Sequence, residues 1–251
     1  MERYLKNKKN LTKNFSYNEN MEHDACGVGM VATFDGKKSR KIVEHGIEAL
    51  KAIWHRGAVD ADGKSGDGAG IQIEIAGDFF REKIISTGHT PDETKRICVG
   101  MVFLPRTDYS DQEKCREIIE SVLLEKNYSI YGWRQVPVNS NVLGKTAERS
   151  RPEIAQVIFK KNENLKTNDL ERNLFEARKK IEKLAREKQL KNFYICSFSS
   201  RSIVYKGMFL AEMLAEFYPD LNDKKLTSRF AIFHQRYSTN TFPSWDLAQP
   251  F

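Results

Sequence analysis

Two rhythms of apolar spacing, one of period two and one of three to four, place the elements along this chain. Val28, Met30 and Ala32 alternate with Gly29 and Val31, which predicts a strand from Val28 to Phe34 closed by the turn pair Asp35-Gly36. Val43, Ile47, Leu50 and Trp54 recur at four, three and four residues, one face of an amphipathic helix that stops at Gly57. Ile71, Ile73 and Ile75 mark the next strand. A short helix over Phe79 to Ile85, a strand from Ile97 to Leu104 and a helix with the face Cys115, Ile118, Ile119 and Val122 follow. Trp133 to Val138 and Ile154 to Phe159 read as strands. Lys161 to Glu171 reads as a polar linker with a candidate boundary near Lys161, before a long helix carrying Leu174, Ala177, Ile181 and Leu184. Phe193 to Phe198 and Ser202 to Tyr205 read as a strand pair joined through Ser199-Ser200-Arg201. Phe209, Met213, Leu214 and Phe217 predict a helix ended by Pro219, and Phe230, Ile232 and His234 a last strand. Runs of strands interspersed with helices predict an α+β fold with an antiparallel sheet.

Composition adds limits. At 251 residues, 40% hydrophobic and 30% charged, the chain can bury a substantial core. Its net charge of +7 suggests nucleic acid, yet between Lys160 and Lys191 eleven Lys/Arg accompany six Asp/Glu at helical spacing with few rings. That is a solvated helix face, so no nucleic-acid partner is expected. The four cysteines, 26, 98, 115 and 196, are too far apart for a zinc spacing and too few to staple the chain, which fits a reducing, cytoplasmic setting. Residues 1–25 hold no apolar run, so neither a signal peptide nor a membrane anchor is expected. They read as a disordered leader or removable propeptide, ahead of one domain over 26–251.

Candidate chemistry gathers in two places. Gly57 to Gly70 holds five glycines and three aspartates and reads as a loop. A calcium loop starting at Asp60 fails, because its fifth and twelfth positions are Lys64 and Ile71. A dinucleotide loop at Gly66-Asp67-Gly68-Ala69-Gly70 fails as well, since it precedes a strand rather than a helix. Asp60, Asp62 and Asp67 are assigned to hydrogen bonding within these turns. The second place is Cys26, at the mouth of the first strand and followed by Gly27 and Gly29. A thiolate there is a candidate nucleophile, and an α-amine freed by cleavage after Ala25, with a pKa of about 7.7–8.0, would serve as its base. A thiol hydrolase pairing Cys26 with His55 or His234 is the alternative, and a small buried hydrophobe the plain structural reading.

Four blocks carry a resemblance: Cys26-Gly27-Val28-Gly29, the run from Trp54 to Asp62, Gly66 to Gly70, and the final eighteen residues from His234 to Phe251. Together they resemble the class II glutamine amidotransferase domain of glutamate synthase large subunits, a branch of the N-terminal-nucleophile hydrolases. The resemblance implies a four-layer αββα sandwich and removal of residues 1–25, so that Cys26 attacks the side-chain amide of L-glutamine and releases ammonia from a glutamyl thioester. It implies that Arg236 grips the substrate carboxylate with Thr239 beside it. Arg56 either frames the nucleophile or pins the glycine loop. Other class II amidotransferases are the nearest rival, against which Phe242-Pro243-Ser244-Trp245-Asp246 argues. For a complete enzyme of this kind the resemblance implies FMN, an iron–sulfur cluster, 2-oxoglutarate at a distant site, an electron donor (NADPH, NADH or ferredoxin) and, as a further partner, a small electron-transfer subunit. The family's oxyanion-hole Asn-Gly pair has no counterpart in the 251 residues. That pair and the aspartate for the substrate amine are expected further on, so the chain is expected to be a fragment of its domain.

Overall fold

A computed structural model of the chain describes residues 2–14, 27–238 and 241–251. The first antiparallel sheet contains β1 (Gly27–Ala32), β2 (Ser65–Glu74), β7 (Ser202–Phe209) and β8 (Phe230–Gln235), in the order β1-β8-β2-β7. The second contains β3 (Cys98–Leu104), β4 (Tyr128–Gln135), β5 (Glu153–Lys161) and β6 (Tyr194–Ser199), in the order β4-β5-β3-β6. The helices are α1 (Glu2–Asn14), α2 (Arg40–Ala52), α3 (Gly77–Ser86), α4 (Tyr109–Glu125), α5 (Lys145–Arg149), α6 (Thr167–Glu187) and α7 (Leu214–Phe217). This is the α+β architecture with antiparallel sheets that the sequence and its resemblance imply.

Helix α2 forms where the apolar stripe predicts it. Ser39 caps it by accepting from the Lys41 amide (3.2 Å), and Ile42, Val43, Gly46, Ile47 and Leu50 are buried. With the short α5 set between β4 and β5, the elements β3, α4, β4, β5, α6 and β6 make a β-α-β-β-α-β pattern, the split arrangement in which a sheet carries both helices on one face. One core joins α4 and α6 to this sheet through Val122, Leu174, Ala177 and Ile181. The other joins α2, the first sheet and the opposite side of β3 through Leu50, Ile71, Met101 and Phe103. Along α6, charged residues off the buried stripe form ion pairs, Arg178–Glu182 (2.7 Å) within the helix and Glu176 with Lys126 (3.1 Å) at the end of α4. The charge run is a helix face, as expected.

Several elements depart from the sequence pattern. The expected pair β6 and β7 lies in two different sheets. Its turn is held by side chains: Glu171 accepts from the Ser199 hydroxyl (2.7 Å), the Ser200 amide (2.8 Å) and the Ser200 hydroxyl (2.6 Å), and the chain steps from one sheet to the other. β7 runs on to Phe209, so the helix expected from there shrinks to a turn at Ala211–Met213 and the four-residue α7. Phe209 is taken up by an aromatic cluster with Phe217 (5.1 Å between ring centres) and Trp245 (6.2 Å). β4 starts five residues before the predicted Trp133, because a bulge at Gly132 (φ 146°) breaks its alternation. No boundary falls near Lys161; β5 and α6 are separated by residues 162–166 only and share a core. Residues 2–14 of the leader are helical. The glycine segment is a loop only as far as Lys64: Gly66 to Gly70 belong to β2.

Gly46 shows how tightly α2 sits on its sheet. A Cβ there would fall 2.5 Å from the Ala231 Cβ and 3.2 Å from Ile71 Cδ1. Gly→Ala inside a helix ordinarily gains about 0.8–1 kcal/mol. Here overpacking costing roughly 1–3 kcal/mol outweighs it, so Gly46→Ala is expected to lower the urea midpoint of unfolding with an unchanged slope. A raised midpoint would refute this packing.

Candidate active site

The site is built where three chain segments converge on one amide. Cys26 and Thr239 lie outside the described residues, but Gly27, bonded to Cys26, opens β1 opposite Gln235 at the end of β8. A Cβ on Gly27 would stand 2.4 Å from the Gln235 carbonyl oxygen and 3.2 Å from the Arg56 Cβ. A Cβ on Gly57 would stand 2.3 Å from Gln235 Nε2. The glycines at 27 and 57 are therefore close-approach positions, which brings the start of β1 and the turn Trp54–Arg56 onto β8. The buried Gln235 side chain accepts from the Ala211 amide (2.8 Å) and donates to the Gly68 carbonyl (3.2 Å). The sequence reading passed over Gln235. Its signal was an amide at an inward position of β8, after Ala231 and Phe233, because a buried polar group is the informative exception.

Arg236 follows immediately. Its backbone amide donates to the same Gly68 carbonyl (2.8 Å), and its side chain is buried, 8% exposed. The guanidinium donates to Thr241 Oγ1 (2.5 Å) and, at the limit of a hydrogen bond, to the Asp67 carbonyl oxygen (3.5 Å). Both acceptors are neutral, and among the described residues no carboxylate pairs with it. The Asp67 carboxylate instead accepts from the Ser238 amide and shapes the segment after β8. Asp60 and Asp62 serve the loop as expected. Asp62 accepts from the Ser65 hydroxyl (2.6 Å), the amides of Ser65 (2.7 Å) and Lys64 (3.0 Å), and across the chain from the Thr146 amide (3.1 Å). The Ser65 hydroxyl above all holds its carboxyl well below the usual range.

Of the other candidates, Arg56 meets Gly27 through its Cβ while its side chain is exposed. His55 is exposed, edge-on to Trp54. His234 pairs across from Val28, so by strand alternation it projects from the face opposite to the one on which Arg56 and Gln235 meet Gly27. Its Nδ1 has no partner among the described residues, and burial, then nearby Arg236, pushes its pKa down. The two histidines therefore do not converge.

The closing segment is laid over the glycines of β2. A Cβ at Gly68 (φ 133°) would meet the Ala248 Cβ at 2.7 Å, and one at Gly70 the Gln249 carbonyl at 2.4 Å. Two side chains hold it there. The buried Trp245 indole donates to the Ala147 carbonyl (3.1 Å) and meets Phe103 edge-on (5.9 Å). The fully buried Lys206 ammonium donates to the Asp246 carbonyl (2.9 Å) and the Tyr194 hydroxyl (3.3 Å), and lies 4.7 Å from the centre of the Phe251 ring. Burial pushes the Lys206 pKa down to about 8.

The three described cysteines are chemically quiet. Cys98, Cys115 and Cys196 are buried, and burial pushes the thiols of Cys115 and Cys196 up to about 12 and that of Cys98 higher still. Among the described residues no group of three or more His, Cys, Asp or Glu could hold a metal ion, so these side chains do not fit an iron–sulfur cluster. Nor, among them, is any helix long and apolar enough to cross a membrane.

A family model described as glutamine amidotransferases class-II matches residues 26–251. The chain is 55% identical over 241 residues to the large chain of an NADPH glutamate synthase from Azospirillum brasilense, covering 96% of this chain and 16% of that protein. It is 43% identical over 229 residues to ferredoxin-dependent glutamate synthase 2 of Synechocystis, and 45% identical over 232 residues to the ferredoxin-dependent glutamate synthase of Pyropia yezoensis. Each alignment covers 91% of this chain and 14% or 15% of the relative, so the chain spans about a sixth of their length.

Two measurements test these environments. Brief alkylation at neutral pH is expected to modify Cys26 and leave the other three thiols unmodified until the protein is denatured; peptide mass mapping that finds Cys98, Cys115 or Cys196 labelled in the native chain contradicts their burial. For Lys206, the folded pKa lies below the unfolded value of about 10.4, so the unfolded state holds more protons between pH 8 and that value. Its contribution to stability therefore rises with pH through this window, whereas the three buried thiols contribute with the opposite sign. The stability of Lys206→Met relative to the parent is expected to fall by roughly 2–3 kcal/mol from pH 7 to pH 11, and a constant difference would contradict the depressed pKa.

Proposed function

The chain belongs to the class II glutamine amidotransferases, and from that premise we propose that it performs the glutamine-cleaving half of a glutamate synthase reaction. The observation that carries the proposal is Arg236: a buried guanidinium with only neutral partners among the described residues, two positions beyond the β8 residue paired with Val28. Arginine stays charged at any working pH, and a buried charge without a counter-ion is costly. The α-carboxylate of L-glutamine supplies that counter-ion, in the bidentate geometry that the fork favours.

In this reading residues 1–25 are removed and the α-amine of Cys26 takes the thiol proton. The thiolate attacks the side-chain carbonyl carbon, the C–N bond breaks, and the amine-held proton leaves with ammonia. Water then cleaves the thioester, giving glutamate and the free thiol. Arg56, pressed against Gly27, frames the nucleophile, and Thr239 assists Arg236 at the carboxylate. Oxyanion stabilisation is assigned to an Asn-Gly pair that these 251 residues lack. The α-amine sits on the residue that carries the thiol and so needs no histidine, and His55 is exposed, which favours the amine over a Cys–His pair as base. Ammonia is proposed to aminate 2-oxoglutarate at a site supplied by the remaining length of a longer enzyme, where FMN and an iron–sulfur cluster would carry electrons from a nicotinamide or ferredoxin donor. The described cysteines do not build that cluster.

A diazoketone analogue of glutamine tests the reading without requiring full turnover. It is expected to alkylate Cys26 in protein whose N-terminus is Cys26. Arg236→Gln is expected to raise the concentration for half-maximal labelling by about 10- to 100-fold, the equivalent of a charge-assisted hydrogen-bonded contact of roughly 1.5–3 kcal/mol. Equal labelling of the variant, or of protein retaining Met1, sinks the proposal.

A further inference from the structure

A second polar feature lies away from this site. A cleft of about 1020 Å³ opens where the two sheets meet, at the far end of β2. Glu74 on its wall is six residues from Gly68, about 20 Å at ~3.3 Å per strand residue. The first sheet contributes Gln72, Glu74 and Ser202 to the walls, and the second contributes Ser199 with the opening turn of α6.

Charge in the cleft is one-sided. Six cations, Lys38, Arg81, Lys95, Arg96, Arg201 and Arg229, line it against two carboxylates, Glu74 and Glu171. Both carboxylates are already committed. Glu74 takes the Arg229 guanidinium (3.0 Å from Nε) and lies 3.9 Å from Lys38, and Glu171 is held by Ser199 and Ser200. Arg81 is paired outside the walls with Asp78 (3.2 Å) and Glu93 (3.0 Å). Lys95 donates to the neutral Asn164 amide oxygen (2.7 Å), and among the described residues Lys95, Arg96 and Arg201 have no carboxylate partner. The 21-residue helix α6 also begins here, and its N-cap, Lys166, offers no side-chain cap. Among the described residues its first-turn amides find no side-chain cap, beside Thr167 and Asn168 on the wall and with Asp169 in the same turn.

Two unpaired guanidiniums, an ammonium and an uncapped helix N-terminus converging on a cleft of small-molecule size match the donors that phosphate oxygens accept. We propose that this cleft binds a small phosphate-bearing molecule, at a site separate from the Cys26 and Arg236 region.

Titration calorimetry of the full 251-residue chain with inorganic pyrophosphate tests it, with citrate as a carboxylate polyanion for comparison. Saturable one-to-one binding is expected, at least tenfold weaker in Arg96→Gln/Arg201→Gln and weakening with salt as charge contacts do. Lys180→Gln, which removes a cation paired with Glu125 elsewhere on α6, is expected to bind like the parent. Asn168→Glu, which adds a negative charge at the helix start without deleting either arginine, is expected to weaken binding likewise. Absence of saturation by ~1 mM, affinity unchanged in the double variant and in Asn168→Glu, or citrate binding as tightly as pyrophosphate would overturn the proposal.

Discussion

One carbonyl oxygen holds the candidate site together. Gly68 lies inside β2, and its oxygen accepts both the Gln235 side-chain amide and the Arg236 backbone amide. The first bond fixes a buried side chain on which Gly27 and Gly57 pack; the second fixes where the chain turns out of β8 with a guanidinium. A buried amide leaves little choice of geometry, because each of its polar atoms left unpaired would cost about 1–3 kcal/mol.

Glycine serves this arrangement through what it leaves out. At 27, 57, 68 and 70 a methyl group would collide within 2.7 Å of a backbone or side-chain atom of another segment. The glycine-rich stretch reads in the sequence as a loop, since five glycines and three aspartates carry every local mark of one. Its second half is a strand because long-range packing overrides that mark: residues 244–251 lie over it, and β7 and β8 pair with it on either side.

The same contrast governs what was legible. α2, α4, α6, β3 and β5 follow from apolar spacing, because each buries one regular stripe or a run between two layers. The assignment of β6 and β7 to different sheets did not follow from spacing. Both are buried on both faces, so neither carries an alternation that names a partner, and the deciding contacts come from Glu171, twenty-eight residues before Ser199. In the site, Arg56 and Arg236 were legible as residue types within motifs. Gln235 was not, because its importance lies in being buried, and burial is a property of the packed chain.

Two buried cations, Lys206 and Arg236, show how side-chain chemistry separates structure from function. Lys206 meets a carbonyl, a phenol and ring faces, and an ammonium so placed lowers the cost of burial by giving up its proton more readily. It can remain a latch between β7 and the closing segment with no partner from outside. Arg236 has no such escape, since an arginine side chain is effectively always charged in proteins. Thr241 and the Asp67 carbonyl satisfy some of its donors but neutralise none of its charge. The residue that can discharge locally needs no partner from outside, and the residue that cannot is the one for which we propose an anionic partner.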